Sequence, residues 1–482
     1  MSIRSSDELF IGGEWIAPST SSVISVRSAT TEEVIGSFPE AGRDDIDAAV
    51  QAARTAFDDP TGWSAWSSHE RADAMLRLAR ALEERREDTA LSVSAQNGMP
   101  VSIARHTEAV WPSTLLRYYA SLIRSADTEE IRPSKVQGRT VVRKAPVGVV
   151  AAIVPWNFPQ SLTAFKVAPA LAAGCTIVIK PSPETVLDAY LLAEAVSEAG
   201  IPPGVVNIIP GGRLAGKLLV DHPGVDKVAF TGSTASGRAI AERCGRLLKP
   251  VTLELGGKSA GILLEDVDLS AAIASMFTAT MLNNGQTCFL STRILVPDSR
   301  YGEMVDALTA MVSRLRVGDA LDPATQVGPL VSSPQRTSVE KMIAAGVTEG
   351  ARITTGGNRP AGFDRGWFIE PTVLADVENH FAIAQQEVFG PVLCVIRYHE
   401  EREAVAIAND SAYGLGGTVW TSDPERGLAV ARRIHAGAVG VNGFTLDHGA
   451  PFGGVKHSGI GRELGPEGLT HYQQLKSIYL PA

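Results

Sequence analysis

The chain has 482 residues and carries 44 Lys and Arg against 53 Asp and Glu, a formal net charge of −9 at pH 7. That length predicts about three folding units, and a hydrophobic share of 44% supplies a large core, which excludes a disordered chain or a disulfide-stapled miniprotein. The acidic balance argues against a nucleic-acid partner.

Four cysteines (Cys175, Cys244, Cys288, Cys394) stand too far apart for a metal ribbon, so no metal site is expected. The start MSIRSSDELF has no apolar secretory core, and runs such as PALAAGCTIVI are too short and too broken to cross a bilayer. A soluble cytoplasmic protein with no membrane partner is expected.

The first forty residues alternate apolar and polar positions between Gly and Pro, the pattern of short hairpins. Helical spacing follows: Ile46, Ala49, Val50 and Ala53 share one face, and Met75, Leu78, Ala79 and Leu82 another, with Asp44 or Asp45 as the expected cap of the first helix. From about residue 141, five β-rich runs (147–154, 176–180, 205–209, 227–230 and 251–255) alternate with helical stretches near 160–173, 185–199, 213–221 and 234–245. Near-continuous apolar strands separated by crossover-length helices predict a parallel sheet buried on both faces. A second β/α set follows, with strands at 293–297, 391–398, 416–420 and 438–442 and helices near 268–282, 300–315, 335–345, 401–408 and 424–434; the Gly-rich 354–368 reads as a loop or hairpin. Two α/β units with a cleft between them account for this order. Ligands of such sheets bind beyond the carboxyl ends of the strands, so chemistry is sought there.

Several motifs admit two readings. Gly211 to Lys217 has P-loop glycine and lysine spacing, but Leu218 stands where Ser or Thr must hold magnesium, so a plain strand-to-helix turn competes. FTGSTASG (230–237) follows a strand and opens a helix, where Gly232 and Ser233 form either a pyrophosphate cradle or a capped turn. Gly257-Lys258-Ser259-Ala260-Gly261 matches the serine-hydrolase elbow, yet ILLEDVD after it reads as strand or loop rather than the required helix. Cys288 lies in the polar loop LNNGQTCFLSTR, unlike the apolar settings of Cys175 and Cys394; it is inert packing or an activated thiol. Glu254 closes a strand directly before two glycines, as an ordinary surface carboxylate or a general base. Asn157 in PWNFP is a rigid-turn residue or an oxyanion donor. Lys180 ends its strand as a snorkelling cation or a nucleotide ligand.

PWNFP, the Lys180 strand end, FTGS, LELGGK, GQTC, QEVFGPV (386–392) and PFGGVKHSGIGRELG (451–465) occur in this order over about three hundred residues. Together they resemble the aldehyde dehydrogenase superfamily. The resemblance implies oxidation of an aldehyde to a carboxylic acid with a nicotinamide cofactor. It also implies a Rossmann-like cofactor domain (1–125 and 147–257), a second α/β catalytic domain (258–455) and a small β oligomerisation arm (126–146 and 470–482). Carried over by motif, Cys288 is the nucleophile, Asn157 and the Cys288 backbone N–H hold the oxyanion of a thiohemiacetal, and Glu254 activates the water that hydrolyses the thioester. Lys166 and Glu463 match positions that relay protons from the base. Trp156 and Lys180 fall on the adenosine side of the cofactor, Gly232 and Ser233 at the pyrophosphate, and Glu387 and Phe389 at the nicotinamide riboside.

One position departs from the pattern. Many NAD-using members carry Glu three residues after the lysine, where Pro183 stands here and Glu184 follows one place late. NAD is favoured because no arginine stands near in sequence, while NADP stays open. Glu254 favours hydrolysis over transfer to coenzyme A, and intact Cys288 and Glu254 speak against a retained structural protein without activity. The tunnel positions Phe158, Phe165, Phe289 and Phe452 are apolar and imply hydrophobic aliphatic, terpenoid or aromatic aldehydes, with the loop 443–450 at the entrance. A homodimer or homotetramer follows by resemblance.

Overall fold

Strands apolar on both sides need cover on both faces, and Val149–Ile153, Thr176–Lys180, Val206–Ile208 and Lys227–Thr231 are buried at every position. In the computed structural model, which describes residues 5–481, these four and Val251–Glu254 form a parallel array. Its order runs Val251–Glu254, Lys227–Thr231, Val149–Ile153, Thr176–Lys180, Val206–Ile208. Antiparallel strands complete eight: Gly459–Ile460 at one edge, and the hairpin Leu9–Ile11 and Glu14–Ile16 at the other. The first and fourth parallel strands are neighbours, so the order reverses between Ile153 and Phe230, the switch point where such sheets take ligands.

Period-two alternation divides the sheet between two cores. Val150, Ala152, Ile177 and Ile179 pack with the helices Ser68–Glu84, Trp111–Ser125, Pro159–Ala173 and Leu187–Glu198. Val149, Ala151, Val178 and Val228 pack with Arg43–Asp58, Arg213–Asp221 and Thr234–Leu247. Pro159–Ala173 is buried over its whole length, as a helix apolar almost all round must be.

The second sheet has seven strands in the order Arg352–Thr355, Thr372–Ala375, Val392–Tyr398, Ser291–Pro297, Ser259–Leu263, Gly416–Trp420, Ala438–Val441, all parallel except the first. A third sheet joins Glu129–Pro133, Arg139–Pro146 and Gln473–Leu480 antiparallel, with Ile131, Leu475 and Tyr479 exposed.

All five expected parallel strands form within two residues of their predicted limits. Two expectations change, the cap of the first helix and the length of a later one. The first helix is capped at Gly42, not at Asp44 or Asp45; Asp45 sits at the third helical position and accepts the Gly42 N–H at 2.7 Å. The 354–368 segment is, as expected, the loop of a hairpin, joining the antiparallel strands Arg352–Thr355 and Thr372–Ala375. The helix expected at 335–345 runs Ser333–Glu349, from a Ser332 cap to a left-handed Gly350.

All four cysteines are free, no group of three or more metal-ligating side chains gathers among the described residues, and none of their helices is long and apolar enough to cross a membrane.

Candidate active site

The strand Val251–Glu254 delivers Glu254 to the carboxyl edge of the first sheet, and the next residues turn directly into the second sheet at Ser259. Two glycines make that turn tight. A Cβ on Gly256 would lie 2.3 Å from Glu387 Oε2, and one on Gly257 would lie 2.4 Å from the Cys288 carbonyl oxygen. LELGGK thus carries glycines because Glu387 and the Cys288 loop close against its backbone. Glu387 Oε1 accepts the Gly257 N–H at 2.8 Å.

The Cys288 loop is clamped to PWNFP. Asn157 is buried, and its Nδ2 donates to the Gln286 carbonyl at 3.0 Å; Asn283 Nδ2 donates back to the Asn157 carbonyl at 2.9 Å. Asn97 Nδ2 donates to the carbonyls of Trp156 and Asn157 at 3.0 and 3.2 Å. The helix Leu269–Thr280 ends before this loop, where Asn283 and Asn284 take positive φ of 51° and 59°, a conformation asparagine tolerates. Cys288 is half-buried. Burial, then Glu387 and Glu254, push its thiol well above the usual range.

Glu254 is buried and neither carboxylate oxygen has a hydrogen-bond partner. Burial, with Glu463 adding repulsion and Lys166 opposing it, holds its carboxyl well above the ordinary value. Lys166 Nζ donates to Glu463 Oε1 at 2.7 Å and to Thr231 Oγ1 at 2.6 Å, both side chains fully out of solvent. Glu463 is held by paired backbone bonds with Phe452 at 2.7 Å, and its Oε2 is unpartnered. The structure therefore brings Cys288, Glu254, Asn157, Lys166 and Glu463 from four separate segments to one end of the first sheet.

The expected cofactor residues fall along the same edge. Gly232 leaves its strand with an N–H donated to the Glu254 carbonyl at 3.0 Å, and a Cβ there would sit 2.6 Å from the Phe230 ring. Ser233 caps Thr234–Leu247 by accepting the Ser236 N–H at 3.3 Å. Trp156 and Phe389 meet edge to face at 5.3 Å, with Phe389 at φ 55°. Lys180 Nζ donates to the carbonyls of Pro181 and Gly211 at 2.8 and 2.7 Å, and burial lowers its pKa to about 8. Burial raises Glu387 to about 7. A helix N-terminus with a neutral cap, a glycine with no room for a side chain and a buried lysine fit a dinucleotide along this edge.

On the other side of the thiol, Phe289 stacks on Phe444 at 4.6 Å and meets Phe452 edge-on at 6.3 Å. Phe158 stacks on Trp111 at 6.4 Å, and Trp111 meets His448 edge-on at 5.2 Å. Phe165 is fully buried in the helix Pro159–Ala173. Trp111, Asn97 and Asn283 belong to this site and were not singled out from sequence; Gln286 and Phe444 belong to it too and lie in the motif GQTC and the entrance loop 443–450.

The rival motifs resolve. Ser259 opens a strand, with none of the strand-turn-helix geometry of a nucleophile elbow. Lys217 is exposed on a helix capped at Gly212.

The aldehyde dehydrogenase family model matches residues 15–478. The chain belongs to the aldehyde dehydrogenase family. As an aldehyde dehydrogenase it is an oxidoreductase that oxidises aldehydes. It is 56% identical to a geranial dehydrogenase of Castellaniella defragrans over 98% of both chains, and 41% identical to a 3-succinoylsemialdehyde-pyridine dehydrogenase of a Pseudomonas species over 99% of both. Among solved structures it superposes on a Mycobacterium tuberculosis aldehyde dehydrogenase complexed with NAD+ at a TM-score of 0.97 and 49% identity, covering 100% of this chain and 99% of that one. A Pseudomonas syringae aldehyde dehydrogenase C mutant complexed with NAD+ and octanal gives 0.94 and 38%, over 98% and 96%.

Proposed function

We propose that this aldehyde dehydrogenase converts hydrophobic aldehydes, terpenoid, long aliphatic or aromatic, to carboxylic acids with NAD+ as oxidant and water as the source of the added oxygen. The observation that carries the reading is the clamp of the Cys288 loop on the Asn157 side chain, beside a buried Glu254 with two unpartnered oxygens.

Asn157 Nδ2 has two hydrogens and spends one on Gln286, so the second, with the Cys288 backbone N–H, is free to hold an oxyanion. The Cys288 sulfur adds to the aldehyde carbon, giving a thiohemiacetal. Its thiol proton passes to Glu387, the carboxylate that acts on the thiol more strongly, so that Glu254 stays unprotonated for the next step. When bound, the nicotinamide supplies the hydride acceptor, leaving a thioester on Cys288. Glu254 takes a proton from water, the hydroxide adds to the thioester carbon, and the Cys288 thiolate leaves. The buried Lys166–Glu463 pair stands next along the route for that proton. Trp156, Lys180, Gly232, Ser233, Glu387 and Phe389 would hold the cofactor.

The stacked Phe289–Phe444 pair, with Phe452, Phe158 and Trp111, favours a large apolar substrate body. That the relative in C. defragrans is named a geranial dehydrogenase supports a terpenoid aldehyde, and octanal in the P. syringae complex a long aliphatic one. The same reading divides the chain into a cofactor domain (1–125 and 147–257), a catalytic domain (258–455) and an arm (126–146 and 470–482), whose exposed Leu475 and Tyr479 would pair subunits of a cytoplasmic homodimer or homotetramer.

The test is a panel of aldehydes with NAD+ followed by absorbance of the reduced cofactor. Geranial, octanal and benzaldehyde are expected to exceed acetaldehyde and 3-aminopropanal in kcat/KM. A maximum for the cationic aminoaldehyde would overturn the substrate class, and full activity in Cys288→Ala would overturn the mechanism.

A further inference from the structure

The helix Pro159–Ala173 starts directly after the oxyanion turn and has no side-chain cap of its own. Its cap position holds Phe158, whose ring stacks on Trp111, and its first residue, Pro159, has no N–H. The orphan donors of the first turn are therefore the N–H groups of Gln160 and Ser161. One carboxylate, 52 residues away from Gln160, takes both. Glu108 Oε2 accepts the Gln160 N–H at 2.8 Å and the Ser161 N–H at 3.3 Å, and Oε1 accepts the Ser161 hydroxyl. A tunnel side chain stands where Ser, Thr or Asp would cap, so the cap comes from another segment.

Glu108 is buried, and Asp188, a like charge, adds to the cost of keeping it there. Asp188 belongs to the same framework: Gln160 Nε2 donates to its Oδ2 at 2.8 Å, and Gln96 Nε2 donates to its Oδ1. The residue after Gln96 is Asn97, whose amide holds the Trp156 and Asn157 carbonyls. Asn157 is thus fixed from both sides, by Asn97 at its carbonyl and by Glu108 at the helix start that follows. Glu108 lies between the helices Val101–His106 and Trp111–Ser125, where the Trp111 N–H donates to the Thr107 carbonyl at 2.8 Å. That tight turn joins Glu108 to Trp111. One short segment therefore meets the oxyanion turn twice, by hydrogen bonds at Gln160 and Ser161 and by packing at Phe158.

We propose that Glu108 is a positioning residue for the oxyanion donor, setting through the first turn of Pro159–Ala173 where the Asn157 amide stands against the Cys288 loop. A displacement of about 1 Å costs a group of this kind about 10²-fold in rate. A carboxylate suits the task because it accepts several N–H groups at once and complements the positive end of the helix. The inference rests on the oxyanion role of Asn157 proposed above.

The test is the rate of the first turnover of reduced-cofactor formation with octanal and saturating NAD+, followed by stopped-flow absorbance in a double-variant cycle. Glu108→Ala is expected to slow it about 10- to 100-fold, with KM for octanal within about threefold of the wild type. Glu108→Gln keeps an acceptor for the Gln160 N–H and is expected within about fivefold of the wild-type rate. In an Asn157→Ala background, Glu108→Ala is expected to change the rate by less than about twofold, because the group it positions is gone. Equal losses in both backgrounds, or a wild-type rate in Glu108→Ala, would overturn the proposal. If Glu108→Ala does not fold, Ser161→Ala removes one of the three bonds to Glu108 and carries the same cycle, with an expected loss of about three- to tenfold. A wild-type first turnover in Asn157→Ala would overturn the reading of Asn157, and the proposal with it. A slow Asn157→Ala beside an unaffected Glu108→Ala would leave that reading standing and remove only the positioning role.

Discussion

Asn157 and Gln286 lie 129 residues apart, and one hydrogen bond of 3.0 Å from the Asn157 amide to the Gln286 carbonyl joins the turn after the first parallel strand to the loop that presents Cys288. Asn157→Ala removes both an oxyanion donor and this clamp. The expected result is a fall in kcat of about 10²- to 10³-fold, with a smaller change in KM, in steady-state assays. A loss confined to KM would show that Asn157 serves binding alone.

Glu387 is the larger of the two charges that hold the Cys288 thiol up. Removing it lowers the thiol pKa and raises the thiolate fraction at neutral pH. Glu387→Gln is therefore expected to speed alkylation of the unliganded enzyme by iodoacetamide at pH 7, measured by mass spectrometry of the Cys288 peptide. Glu254→Gln acts in the same direction more weakly. Glu254→Gln also yields one equivalent of reduced cofactor in a rapid burst and then stalls, because the thioester persists without its base.

The Lys166–Glu463 pair is out of solvent on both sides. Lys166→Met leaves Glu463 buried without its cation and is expected to cost about 3–5 kcal/mol in urea unfolding. The double variant Lys166→Met with Glu463→Leu is expected to recover most of that loss while remaining slow in turnover. Recovered stability with wild-type turnover would remove the pair from the proton route.

Glu108 caps the helix that follows PWNFP, accepting the Gln160 N–H at 2.8 Å, and burial raises its pKa from 4.5 to about 8. The folded state therefore holds this proton more tightly than the unfolded chain. Its contribution is whole below about pH 4.5 and is lost as pH rises through about 8. Glu108→Gln keeps an acceptor for Gln160 and cannot ionise. Its stability advantage over the wild type is expected to grow between pH 5 and 9 in thermal melts, and an unchanged pH slope would contradict the raised pKa.

Local pattern was enough for the five parallel strands at 149–254, because a strand buried on both faces must be apolar at every position, whatever it packs against. Arg352–Thr355 escaped the same reading. It is an edge strand with its first two residues exposed, and its place depends on Thr372–Ala375, seventeen residues beyond its end. The helix cap at Gly42 escapes local pattern for a related reason: two adjacent aspartates both suit a cap, and the Ser19 N–H and hydroxyl, which bond to Asp45 at 2.8 Å, are distant in sequence.

By itself the sequence determined the alternation of strands and helices, hence two parallel sheets, and through seven ordered motifs the family and its chemical groups. Those properties are local: a motif keeps its residues in fixed spacing because backbone and side chain meet within a few positions. Tertiary structure alone decided the contacts between groups remote along the chain. Gln286 and Asn97 brace Asn157, Phe444 stacks on Phe289, and Glu40 neutralises the helix that begins after Gly212. Each is an interaction through space between ordinary residue types, and charge and packing depend on distance in three dimensions rather than on order in the chain.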